Sequence, residues 1–356
     1  MRTTIMEVDI NKFKKNVNSV QKYIGNKKIM PIIKANAYGT YINKRLDVIN
    51  EFDIVGVAII DEAIELRELG YEKEIFILNQ PGIDDIENIL KYNITIGLSS
   101  YEFLNELLKI NKEIKVHLEI ETGMNRTGIK LTELEEFVSK INSNILVEGI
   151  YTHLSSADYD VEYTNKQLKL FEEAVTKVKS KFKNIKYIHS LASNGLLNYN
   201  DNISNLVRAG IVLYGYDSFE GMKNIIDVEP ICKLKTKINF IKEINKGESV
   251  SYSRKFIADK NMTLATIPIG YADGLRRDLF NKGKVTINGK LANIIGSICM
   301  DSCMVDITDI EDAKVGDTVY IWDNKLISLE NIANDCDTIN YEILSIISYR
   351  VPRIYK

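Results

Sequence analysis

Between residues 29 and 214 the chain repeats one pattern, a short apolar and β-branched run followed by a longer amphipathic segment. The runs are IMPIIK (29–34), IVGVAI (54–59), EIFIL (74–78), ITIGL (94–98), KVHLEIE (115–121), VEGIYT (147–152), YIHSLA (187–192) and VRAGIVLY (207–214), eight in all. Runs this short and this rich in β-branched residues suit strands, and their near-continuous apolarity suits a parallel sheet covered by helices. Between them, segments such as DEAIELRELG and LTELEEFVSKI carry apolar residues at helical spacing with their charges on the other face. Eight strand-helix units predict an α/β fold whose first part is a TIM-type (β/α)8 barrel ending near residue 220.

Beyond about residue 228 the pattern changes to strands separated by turn signals: TKINFIKEINKGESVSY, TLATIPIGYADG, GKVTINGKLANIIG, MVDITDI and KVGDTVYIW. No long helical pattern returns until about residue 328, so a mainly β domain is expected there. The expected division is 1–227 for the barrel and 228–356 for the β domain. With 5 Pro and no Gly/Ser-rich linker, the two are expected to pack closely.

A formal net charge of -3 with interspersed Lys, Glu and Asp offers no basic patch, which argues against a nucleic-acid partner. The N-terminal MRTTIMEVDINKFKKNV lacks a signal-type apolar core and no later run reaches membrane-spanning length, so a cytoplasmic protein is expected. Cys232, Cys299, Cys303 and Cys336 read as reduced thiols, because the one close pair, CMDSC, has no second half to complete a zinc site.

In such a barrel the chemistry sits at the carboxyl ends of the strands. Lys34 closes the first run, where desolvation at the mouth lowers an amine's pKa towards that needed for a Schiff base. Taken alone, a strand-terminal lysine is more often a solvated surface residue. The context decides: PIIKANAYG resembles the segment around the cofactor lysine of the alanine racemase family, which uses pyridoxal 5'-phosphate (PLP), and IETGMNRTG, YTHLSSAD, HSLASNG and NLVRAGIVLYG resemble further family segments in the same chain order. Some loop features, ASNGLLN among them, are similar to the racemase domains of vancomycin-resistance serine racemases.

The resemblance implies a fold type III PLP enzyme with Lys34 carrying the cofactor, and with Tyr38, Ser193, Gly210, Ile211 and Tyr341 around its phosphate. It implies Arg208 on the pyridine nitrogen, His189 supporting that arginine and His153 against the ring. Racemisation needs a base on each face of a planar carbanion. VSYSRKF resembles the family segment whose tyrosine opposes the lysine, here Tyr252, reaching the site from the partner subunit together with Cys299, Met300 and Asp301 of GSICMDSCMVD. A homodimer with shared active sites is therefore implied, with a Met300 N–H on the substrate carboxylate.

Arg126 matches the arginine that orients the substrate carboxylate. Glu119 stands seven residues earlier, where many members carry a carbamylated lysine, so a direct Glu119–Arg126 pair is expected. Asp158, Tyr271 and Arg277 match the entrance corridor; Ser297 replaces an arginine, Ala192 an asparagine, and Thr40-Tyr41 the usual His-Gly. The implied activity is interconversion of L- and D-alanine for peptidoglycan, with no metal. Serine or broad small-amino-acid racemisation stands second. A non-catalytic PLP carrier would lack the β domain, and a related decarboxylase would usually need an acidic partner for the pyridine nitrogen.

Overall fold

All eight apolar runs form strands, in a computed structural model that describes residues 3–219 and 221–356. They span Lys28–Pro31, Ile54–Val57, Glu74–Ile77, Thr95–Leu98, Ile114–Glu121, Ile145–Tyr151, Tyr187–His189 and Leu206–Ala209. Neighbours pair in parallel in chain order, and the last pairs with the first in the register Arg208↔Met30. Bridges Ile32↔Gly56 and Ala192↔Arg208 stitch the two remaining seams, so the sheet closes into a barrel.

The interior is filled by residues on one side of the pleat, and space is shared unequally between neighbouring strands. His117 sits in register between Gly97 and Gly149 on the adjoining strands. A Cβ at Gly149 would lie 2.5 Å from the imidazole ring, so the glycine is what lets a histidine occupy the axis. Gly149→Ala is expected to destabilise the fold by about 1–3 kcal/mol through overpacking. Urea unfolding should show the loss as a lower midpoint at unchanged slope.

One run departs from what its composition predicts. VRAGIVLY has the makings of a single strand, but the strand stops at Ala209 and Ile211–Tyr214 wind into a 3-10 turn. Ser193 Oγ accepts from Gly210 N (3.1 Å) and Val212 N (3.4 Å), and Leu213 N bonds Gly210 O, so these amides have partners without a sheet.

The C-terminal region forms a mainly β domain. Its nine-stranded sheet runs in the order Phe240–Ile244, Met262–Ile267, Cys303–Asp306, Lys290–Ile295, Lys284–Ile287, Thr318–Trp322, Cys232–Lys237, Ile5–Val8 and Arg353–Tyr355. The hairpin read from VTINGKL is present, with Asn288 and Gly289 both at positive φ (47° and 75°), as a tight two-residue turn requires. The strand Ile5–Val8 precedes the barrel in sequence yet lies in this second sheet, antiparallel to Cys232–Lys237 and parallel to Arg353–Tyr355. One apolar core continues from the barrel into this domain. The helix Asn340–Ser345 leans on the segment after Lys34 so closely that Leu344 O would be 2.5 Å from a Cβ at Gly39. No helix among the described residues is long and apolar enough to cross a membrane.

Candidate active site

At the carboxyl ends of the barrel strands lies a cavity of about 510 Å³, lined by Lys34, Tyr38, His153, Asp158, Ala192, Ser193, Arg208, Gly210 and, from the second domain, Tyr341. Most of the expected cofactor residues therefore open onto one space, contributed by four barrel strand ends and one helix of the β domain.

Lys34 begins an unusual turn. Ala35, Asn36, Ala37 and Tyr38 all have positive φ, 51 to 54°, a left-handed conformation that costs an L-residue roughly 1–2 kcal/mol each. Glu62 holds the turn by accepting from Ala35 N (2.6 Å) and Ala58 N (2.8 Å). The turn folds Tyr38 back so that its hydroxyl would lie 2.6 Å from a Cβ at Gly210, beside Ser193 Oγ. Only glycine permits that approach. A phenol, a serine hydroxyl and the Gly210 N–H thus converge, the donor set a phosphate requires. Burial, with Arg126 and Arg208 adding repulsion, lowers the Lys34 amine from its ordinary value, which favours the neutral nucleophilic form.

Arg208 is buried, and both of its terminal nitrogens are engaged. Nη1 donates to His189 Nδ1 (2.9 Å) and His189 O (2.7 Å); Nη2 donates to Thr152 O (2.8 Å), Ser190 O (3.1 Å) and His153 Nδ1 (3.2 Å). Five bonds fix the guanidinium plane against the cavity wall. Burial pushes Arg208 down to about 10 and His153 down to about 3, so at neutral pH the arginine is charged and the histidine neutral. Such a cavity fits PLP: an amine to bond its aldehyde, donors for its phosphate, and a fixed cation for its ring nitrogen.

The expected Glu119–Arg126 pair is not formed. Glu121 accepts from the amides of Gly123 and Asn125, and Asn125 is left-handed (φ 54°); beyond this turn Arg126 is exposed and Thr127 lies over the strand. Glu119 Oε1 accepts from Thr127 Oγ1 at 2.9 Å, while Oε2 is buried with no hydrogen-bond partner. Burial raises the Glu119 carboxyl above its ordinary 4.5. The folded state therefore keeps this proton to higher pH than the unfolded chain, and stability falls as pH rises past 4.5 towards the raised value. Glu119→Gln is expected to raise the melting temperature at neutral pH, with the gain disappearing below pH 4.5 in a series of thermal melts.

Tyr252, Met300 and Tyr271 stand apart from the cavity within one chain, 67%, 52% and 42% exposed on the β domain. Cys299 is half-buried, and its carbonyl accepts from Tyr271 N while Met300 O accepts from Ala272 N. Asp301 pairs with Arg350 at 2.5 Å, and Arg277 lies over the Tyr271 ring. Ser297 braces the loop that carries Tyr252, since its hydroxyl donates to Tyr252 O (3.1 Å) and its own carbonyl accepts from Ser251 Oγ (2.6 Å). Ser251, Ser253 and Arg254, around Tyr252, hold positive φ, so this exposed loop is shaped rather than loose.

Glu62 and His117 carry no motif that marks them as site residues. In the sequence Glu62 is one charge on a helix face, and His117 one residue of a strand. A strand's alternation does place His117 and Glu119 on the same face, towards the barrel interior, and that is the signal by which both could be found.

Known proteins match the chain over both of its halves. Residues 8–218 match the model for the alanine racemase N-terminal domain and residues 231–355 that for its C-terminal domain. Alanine racemase 1 of Clostridium acetobutylicum is 37% identical over 370 residues, covering 100% of this chain and 96% of that protein. The structure of alanine racemase from Clostridium difficile 630 superposes with a TM-score of 0.93 at 34% identity, covering 100% of this chain and 96% of that one. The Bartonella henselae alanine racemase, with covalently bound pyridoxal phosphate, gives a TM-score of 0.90 at 29% identity and full coverage of both chains. With both of its halves matched and its lysine, arginine and tyrosine lining one cavity, the chain belongs to the alanine racemase family.

Proposed function

We propose that Lys34 of one subunit and Tyr252 of the partner subunit face each other across the α-carbon of bound alanine, one taking its proton and the other returning one from the opposite side. Alanine racemisation with PLP is the activity that family membership carries. The bound cofactor makes the α-proton removable by drawing electron density from that carbon. Lys34, whose amine burial pushes below its ordinary value, serves as base on its face. On the other face the Tyr252 phenol is presented by the loop that Ser297 braces.

Tyr38, Ser193, Tyr341 and the N–H groups of Gly210 and Ile211 hold the phosphate. Arg208, oriented by His189, meets the ring nitrogen, and His153 flanks the ring. Arg126 and the Met300 N–H of the partner subunit take the substrate carboxylate, Asp301 bracing that loop through Arg350. Asp158, Tyr271 and Arg277 line the entrance. The partners are a small amino acid and a second copy of the chain. The setting is the cytoplasm, and the product is D-alanine for peptidoglycan.

The observation that carries this reading is the opening of Lys34, Arg208 and the Tyr38–Ser193–Gly210 donor cluster onto one cavity. A serine or broader small-amino-acid preference is the second reading. Ala192 lines the cavity where an asparagine is common in the family, and the neighbouring Asn194 Oδ1 has no partner. Turnover measured side by side on L-alanine, L-serine and L-lysine is expected to be highest for alanine. A serine preference above about tenfold would overturn that choice. A carrier role is disfavoured because Tyr341 of the β domain contributes to the cavity, and it would give cofactor absorbance without α-proton exchange in deuterated water.

A further inference from the structure

We propose that His117 and Glu74 are positioning residues for Arg208, forming the lower part of a one-directional hydrogen-bond chain that runs down the barrel from the active-site cavity to its opposite mouth. The proposal rests on the reading that Arg208 faces the cofactor ring.

The chain has 3 histidines, and two of them lie on this line. An arginine can only donate, so His189 Nδ1, 2.9 Å from Arg208 Nη1, must accept. A neutral imidazole that accepts at Nδ1 carries its proton on Nε2, and His189 Nε2 lies 2.9 Å from His117 Nδ1. His117 Nδ1 therefore accepts in turn, and its own proton sits on Nε2. That atom faces Glu74 Oε1 at 4.0 Å, and both are buried without another partner. A shift of about 1 Å closes the gap to hydrogen-bond length.

Glu74 is clamped from outside. Its second oxygen accepts from Lys186 Nζ (2.7 Å) and Tyr187 Oη (3.1 Å), at a small cavity of about 130 Å³ that Lys73 and Lys115 also line. Ring stacking fixes the directions of the nitrogens: His117 lies 4.3 Å from Phe76, and His189 lies parallel to Tyr151 at 5.0 Å. Burial holds His117 down to about 3 and His189 well below its ordinary value, with Arg208 repulsion adding to both. Neither ring is charged at neutral pH, so the tautomer argument applies there.

The consequence concerns Arg208. With the opposite tautomer, His189 would aim an N–H at the guanidinium and one of its five bonds would be lost. A carboxylate at the far mouth makes the accepting tautomer the one in which every N–H along the line has an acceptor.

Selective 15N-histidine labelling of the intact protein tests this, since only three imidazoles report and His153→Asn assigns one of them. His117 and His189 are both expected to carry protons on Nε2 from about pH 6 to 8. In His117→Phe, which keeps the ring stack but ends the chain, His189 should populate both tautomers. The kcat for alanine should fall about tenfold with KM changed less than about twofold. Glu74→Met, at the solvent mouth, should leave the fold intact and let His117 populate both tautomers, whereas Glu74→Gln, which keeps an acceptor, should restore the native one. A wild-type His117 protonated on Nδ1, or a His117 tautomer unchanged in Glu74→Met, would overturn the proposal. The spectra are read without turnover, so a protein inactive on alanine would defeat the functional reading and leave this one standing.

Discussion

Lys34→Ala is expected to lower kcat/KM for alanine by at least about 10⁴-fold, because one side chain supplies both the covalent anchor and a catalytic base. The anchor can be read separately from the rate. Borohydride reduction of the wild-type protein should fix PLP covalently at Lys34, and the variant should release the cofactor on dialysis. Lys34 is the residue for this because the left-handed turn after it is held by Glu62 while its amine is desolvated at the cavity wall. Added methylamine is expected to return a small part of the activity, since the variant leaves space where the amine stood. A Lys34→Ala protein that still takes a borohydride-stable label would place the anchor elsewhere.

Tyr252→Phe is expected to reduce racemisation by about 10²–10⁴-fold, the range for loss of a positioned acid-base group. Its more telling effect is directional. With one base left, α-proton exchange in deuterated water should persist from one alanine enantiomer and nearly vanish from the other. Loss of exchange from both enantiomers alike would point to damage of cofactor binding rather than to removal of one base. The phenylalanine keeps the loop's packing, and Ser297 still holds the backbone carbonyl of residue 252.

Much of the fold is legible in the sequence because its signals are local. All eight barrel strands follow from apolar runs bounded by amphipathic segments, and the Asn288-Gly289 hairpin from its turn residues. The place of Ile5–Val8 in the second sheet is not legible, since periodicity marks a strand but not a partner more than 200 residues away in the chain. The 3-10 turn Ile211–Tyr214 is hidden by its β-branched composition, which the hydroxyl of Ser193 overrides. Within the site, Lys34, Tyr38, Ser193 and Arg208 are legible from motifs and share one cavity. The Glu119–Arg126 pair is what the family resemblance implies, and in the structure Thr127, beyond the left-handed Asn125, bonds Glu119 instead. Glu62 and His117 act through backbone amides and another side chain, contacts that no motif of the chain records.

Coexpression of Lys34→Ala with Tyr252→Phe asks whether each catalytic pair is assembled from two chains. Random pairing makes about half of the dimers mixed, and each mixed dimer holds one intact site of two, so about a quarter of the wild-type activity should return. A coexpressed mixture no more active than the two variants purified separately would contradict the shared site.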